Sequence, residues 1–254
     1  MFFFLLAFGA SMIGGLCGIG GGILMKPAME FFHMADPVTA SFLSSCTVFF
    51  MALCNVSVRL LEKRGGLALR TTFPLAVGAA MGGVLGNQAF AAFCRLFPSS
   101  GAGRVQSAAL LILTAFTLFY TVKRSSIRTV RITAVPACAV IGLGLGSVSS
   151  FLGIGGGPFN LVVLHYFFSM QTKTAAANSL FIILLSQTTN LISYAAASRV
   201  PAGSPAILGA MVLGGVSGGV LSSLLNKKIH TGKIEGLFIL VMMLIMLICI
   251  YNIL

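Results

Sequence analysis

The chain has 254 residues, 57% hydrophobic and 8% charged, with a mean hydropathy of +1.04. A soluble domain carries about 25% charged residues, so this composition belongs to an integral membrane protein. The formal net charge of +12 does not indicate nucleic acid, because most Lys and Arg lie in short loops between apolar runs, the pattern that orients a membrane protein.

In chain order, the first apolar run is 1–17. Its start, MFFFLLAFGASMIGG, lacks the basic stretch of a signal peptide and is read as a first membrane segment. The glycine-rich string GGLCGIGGG occupies 14–22, and a short run, ILMKPAMEFFHM, follows at 23–34. Apolar runs at 38–60, 69–94 and 104–122 each have the roughly 20 residues a span needs. A basic linker, 123–130, leads into the run 131–152, where SSFLGIGGGPF repeats the glycine cluster as GIGGG at 153–157. A second short run, PFNLVVLHYFFSM, covers 158–170, and long runs at 174–197, 203–225 and 236–254 complete the chain. At about 1.5 Å per residue the two short runs reach only about 18–20 Å, against a hydrocarbon core of about 30 Å. They are expected to be half-helices that begin inside the membrane at the glycine clusters.

The basic residues decide whether each cluster returns the chain to the side it came from. If each is the tip of a hairpin, 12 of the 16 Lys and Arg fall on one side, and only Lys26, Arg95, Arg104 and Arg199 on the other. If each glycine region crossed once, the division would be 9 to 7. The hairpin arrangement places both termini outside (periplasmic) in a bacterial-type inner membrane. Residues 1–122 and 131–254 then each comprise a hairpin and three spans. An odd number of crossings per half makes the halves inverted repeats, an architecture typical of secondary transporters. The expected fold is therefore an all-α polytopic membrane protein of two inverted repeats. Each repeat has a glycine-tipped, discontinuous helix hairpin and three transmembrane helices. The repeat is also visible residue by residue. At a constant offset of 135, Gly9 matches Gly144, Gly18 and Gly20 to Gly22 match Gly153 and Gly155 to Gly157, Ser44 matches Ser179 and Asn55 matches Asn190. After a small slip, Gly82-Gly83-x-x-Gly86 matches Gly214-Gly215-x-x-Gly218, small residues that let helices approach in lipid.

A half-helix starting at membrane depth exposes N–H groups without intrahelical acceptors, and these must face protein or a polar cavity. The same end carries about half a positive charge. Glycines let the backbone turn and leave room for a ligand, so the clusters have the makings of an anion site. The other reading is a tight turn with close packing. No nucleotide loop is indicated, since neither cluster follows a strand or ends in GK[ST]. Candidate ligand-binding residues are Gly18, Gly20, Gly21, Gly22, Gly153, Gly155, Gly156 and Gly157, with Ser44, Asn55, Asn178, Ser179 and Asn190. Asn55 and Asn190 serve equally well as interhelical hydrogen-bonding groups. Gln187 lies at the edge of the stripe formed by Ser179, Ser186, Asn190 and Ser193. Lys26 either neutralises an anion near the outer mouth or snorkels to the interface, and His165 is either a proton carrier or a packing residue. The six cysteines form no CxxC pair. With no HExxH and no clustered acids, no metal, cofactor or enzyme site is indicated.

GIGGG followed by a half-helix, a short polar loop and a Thr-Ala…Ser span, present in both halves with TASFLSS and TAAANSL, resembles the sulfite exporter TauE/SafE family over nearly the whole chain. The resemblance implies a membrane transporter for a small sulfur-containing anion, sulfite or a sulfonate. The first half has ILMKP after the glycines and the second PFNLV, so the two half-sites are not expected to be equivalent. The reading is an exporter working by alternating access at a midplane site. A passive anion channel and a non-transporting accessory protein stand as alternatives. The expected partners are the small anionic substrate and the lipid bilayer, with a homodimer left open.

Overall fold

A computed structural model describes residues 1–32, 34–61, 67–96, 99–124, 127–152, 156–196 and 205–253. The described residues form ten helices: α1 (Phe2–Cys17), α2 (Gly22–Phe31), α3 (Pro37–Leu61), α4 (Leu69–Leu96), α5 (Ser99–Lys123), α6 (Val135–Phe151), α7 (Pro158–Phe168), α8 (Thr172–Ala196), α9 (Pro205–Lys228) and α10 (Thr231–Ile253). Six of them, α3, α4, α5, α8, α9 and α10, are long and apolar enough to cross a membrane. The protein is an all-helical polytopic membrane protein. The helices α1 and α6, of 16 and 17 residues, are about 24 and 26 Å long and stop short of a full crossing. Each is continued by a half-helix, α2 or α7, of 10 or 11 residues.

Each pair is a hairpin that comes back to the end where it began. Phe2, at the start of α1, packs edge-on against Phe32, just past α2, at 5.4 Å. In the second pair, the amides of Val130 and Ile132, before α6, donate to the carbonyls of Tyr166 and Phe167 at the end of α7 (2.7 and 2.9 Å). Helix α10 joins the two regions. Tyr251 near its end lies 4.7 Å from Phe31, while Glu235 near its start pairs with Arg124 at the end of α5.

The principal helix contacts have counterparts when the halves are exchanged. Helix α4 packs on α6 and α8, as α9 packs on α1 and α3; α2 touches α3 and α10, as α7 touches α8 and α5. The pairs α3–α8 and α5–α10 map onto themselves. The α4–α6 contact is a seam of small residues. A Cβ on Gly78, Gly82 or Gly86 would stand 2.1–2.3 Å from the carbonyl oxygens of Ala139, Leu143 and Ser147. Backbones can meet this closely only without side chains, which in lipid replaces the hydrophobic drive for helix association.

Helix α3 begins at an Asp-Pro step. The Asp36 carboxylate accepts the Thr39 amide at 3.1 Å, and Pro37 occupies the first turn, where a missing N–H costs nothing. Hydrogen bonds from Thr39, side chain first and then backbone, hold the Asp36 carboxyl below its usual value. A depressed folded-state value means that the cap stabilises at neutral pH and fades as pH falls through the acidic side of the carboxylate range. Asp36→Ala is expected to cost about 1 kcal/mol. In thermal unfolding of the detergent-purified protein, the deficit should be seen at pH 7 and shrink in acid.

Candidate functional site

The first glycine tip is fully described, and the sequence builds it in steps. Helix α1 ends because Gly18 takes the left-handed conformation (φ 75°) and its amide returns to the Gly14 carbonyl, which also accepts from Ile19 at 3.0 Å, a glycine-capped terminus. Gly20 is left-handed too (φ 72°), and Gly21 and Gly22 start α2. Among the described residues the amides of Gly20, Gly21 and Gly22 donate to no backbone carbonyl. The tip is buried throughout.

In the second tip Gly153 and Gly155 lie outside the described residues. Gly156 and Gly157 are present with φ of 113° and 136°, and Pro158 follows as the first residue of α7. Proline removes a donor from that helix end, whereas α2 keeps its own. The described starts of the two half-helices therefore differ in their backbone donors.

Both tips converge on one side chain. A Cβ on Gly20 would lie 3.3 Å from Cδ1 of Ile183 and 3.5 Å from Cγ1 of Val48; a Cβ on Gly156 would lie 2.5 Å from Cγ1 and 3.1 Å from Cδ1 of Ile183. Ile183 of α8 thus stands between the tips, and Val48 of α3, 135 residues earlier, is its counterpart. Gly18 rests on the backbone of the same helix α8: a Cβ there would fall 2.3 Å from Cα of Ala176. Neither Ile183 nor Val48 was singled out from the sequence. Both are apolar residues in apolar runs, and only their position four residues after Ser179 and Ser44 marks them.

Ser179 lies between Ala176 and Ile183 on α8. It is fully buried, and its hydroxyl has no hydrogen-bond partner among the described residues. Its counterpart Ser44 is also buried but donates to the Ser41 carbonyl of its own helix at 3.1 Å. Asn178 is occupied elsewhere. Its Oδ1 accepts from the Ala68 amide (3.0 Å) and the Thr72 hydroxyl (2.6 Å), and its Nδ2 donates to the Thr174 carbonyl (2.7 Å). It ties α8 to the start of α4.

The two asparagines are interhelical ties in equivalent places. Asn55 of α3 accepts from Ser222 of α9 at 3.3 Å, and its amide nitrogen stands 3.3 Å from where a Gly15 Cβ would be. Asn190 of α8 accepts from Asn87 of α4 at 2.8 Å and from Ser150 of α6 at 3.3 Å, and donates to Gln187 at 3.4 Å. Gly15 and Ser150 are themselves 135 residues apart. Asn190→Leu strands the Asn87 donor and is expected to cost about 1–2 kcal/mol. The check is a fall in thermal midpoint with anion affinity within about twofold of the parent protein.

Lys26 does not reach for the interface. It is 3% exposed, donates to Gln106 Oε1 at 2.9 Å and to the Leu152 carbonyl at 3.4 Å, and lies 4.0 Å from Glu30. His165 hydrogen-bonds Tyr120 through Nδ1 at 2.9 Å. Neither partner, Gln106 or Tyr120, could be read from the sequence, because each lies on a helix distant in the chain. Among the described residues no three His, Cys, Asp or Glu side chains are grouped to hold a metal.

A family model described as "Sulfite exporter TauE/SafE" matches residues 3–248. The chain is 27% identical to a Bacillus subtilis (strain 168) protein named "Probable membrane transporter protein YunE", over 93% of this chain and 92% of that one. No solved structure matches it.

Proposed function

The chain belongs to the sulfite exporter TauE/SafE family of membrane transporters, and from that premise we propose that it exports a small sulfur-containing oxyanion, sulfite or a sulfonate, at a site between the two glycine tips. The observation that carries this reading is the convergence of both tips on Ile183, with the unpartnered Ser179 hydroxyl one turn earlier. Backbone amides at the start of α2, the positive end of that helix and the Ser179 hydroxyl are donors without the desolvation cost of a buried lysine. Gly156 of the second tip lies against the same Ile183, and Ser44 of the first half is the repeat counterpart of Ser179.

Residues 1–122 and 131–254 act as inverted repeats that rock about this site, joined by the linker 123–130. The matching of the principal helix contacts between halves and the two self-returning hairpins support that arrangement. The face with Arg124, Lys173, Lys227 and Lys228 is cytoplasmic on the positive-inside rule, and both termini are outside. With the cell interior negative, each negative charge leaving is driven by about 2.3 kcal/mol per 100 mV, so export needs no coupled ion.

Thermal unfolding of the purified protein across a panel of anions tests the site. An anion at 100 times its dissociation constant stabilises by about 2.7 kcal/mol. Sulfite or a sulfonate should raise the midpoint and chloride should not, and equal shifts for all anions at matched ionic strength would refute selective binding.

A further inference from the structure

Two small cavities lie off the glycine tips, and they are counterparts under the internal repeat. The smaller, of about 10 Å³, is lined on α2 by Lys26, Pro27 and Glu30; the larger, of about 40 Å³, is lined on α7 by Leu161, Val162 and His165. Each of these pairs is 135 residues apart. So are Leu152, which ends the smaller cavity beside the second tip, and Cys17, which ends the larger beside the first. The other walls come from α5 and α10 with the roles reversed. Gln106, Ser107 and Leu110 in one correspond to Ile234, Glu235 and Phe238 in the other at an offset of 128. Cys249 and Asn252 correspond to Thr121 and Arg124 at the same offset. All nine residues lining the smaller cavity therefore have counterparts lining the larger.

The chemistry is matched although the residues are not. Each cavity holds one carboxylate beside one cation: Glu30 and Lys26 in the first, Glu235 and Arg124 in the second. The chain has only four acidic residues, and two of them are here, at positions that do not correspond. The pair Arg124–Glu235 also ties the linker just after α5 to α10 of the second half, and Lys26 reaches from α2 to the carbonyl of Leu152. Volumes this small admit a few waters at most, so neither cavity passes an anion in this conformation.

We propose that these two cavities are the two half-paths to the anion site, one from each face, and that Lys26 and Arg124 are the cations an anion meets in them, each held by a carboxylate that it displaces. The proposal rests on the transport reading above. Rocking opens one half-path as it closes the other, and breaking the Arg124–Glu235 contact unlocks the basic face.

The native cysteines report on both paths, since Cys17 lines one and Cys249 the other, each 1% exposed. The full chain is reconstituted in oriented proteoliposomes, a membrane-impermeant charged maleimide is added to one face at a time, and modified peptides are mapped by mass spectrometry. Methanesulfonate flux is measured in the same vesicles. Cys17 is expected to react only from the basic face and Cys249 only from the other. Glu235→Gln is expected to speed the Cys17 reaction by about threefold without changing Cys249, and Glu30→Gln the reverse. Flux with both cysteines unreactive from either face, or reacting from the wrong one, would overturn the proposal and leave the transport reading standing. Absence of sulfite and methanesulfonate flux would remove the transport reading, and this proposal with it.

Discussion

Gly18→Val is expected to reduce anion flux more than 100-fold, to the background of empty vesicles. Two independent costs meet at this residue. A β-branched side chain is a strong outlier at φ 75°, and its Cβ would fall 2.3 Å from Cα and 2.8 Å from the carbonyl oxygen of Ala176. The obstacle is helix backbone, which cannot turn aside as a side chain can. Either α8 is pushed away, carrying Ser179 and Ile183 with it, or the first tip withdraws. Displacements of about 1 Å at a binding constellation can cost a hundredfold. Gly9→Ala and Gly144→Ala make the comparison. These glycines match each other in the repeat as the tip glycines do, yet nothing lies within 4 Å of a Cβ on either, so both variants should retain flux within about twofold of the parent. Equal losses at Gly9 and Gly18 would show that the effect is not specific to the tip.

Ser179→Ala is expected to weaken anion binding by about ten- to a hundredfold, the worth of a hydrogen bond to a charged group, while leaving the thermal midpoint of the anion-free protein unchanged or slightly raised. The sign of the second effect follows from burial. This hydroxyl is fully buried with no partner among the described residues, so its removal strands nothing and relieves a desolvated polar group. Ser44→Ala should have the smaller effect on binding, because that hydroxyl already donates to the Ser41 carbonyl. Titration of both variants with sulfite, followed by thermal shift, separates the two. A loss of stability with unchanged affinity at Ser179 would assign it to packing.

The order of elements was legible because it depends on hydropathy along the chain. The short runs at 23–34 and 158–170 became α2 and α7, and the first GIGGG cluster falls where α1 gives way to α2. The expectation of hairpins rested on two independent constraints on one topology, the positive-inside count and the offset of 135. What the sequence could not show is which distant helix each polar residue meets. Asn178 looks like Ser179 in a list of polar residues in α8, yet its amide binds the start of α4, 110 and 106 residues away. Lys26 has the sequence context of a snorkelling lysine and is buried against Gln106 and Leu152. Ile183 carries no polar signal at all, although both tips press against it. Asn55 and Asn190, equally suited to a ligand or to a neighbouring helix, have neighbouring helices as partners.

The central claim, that a sulfur oxyanion crosses at a site between the glycine tips, is tested most directly by flux into inside-out proteoliposomes under an imposed potential. The account predicts sulfite or sulfonate movement that follows the potential, by about tenfold in the equilibrium gradient for each 60 mV and unit charge, and that is lost in Gly20→Leu. Flux that ignores both the potential and the Gly20 substitution would contradict it.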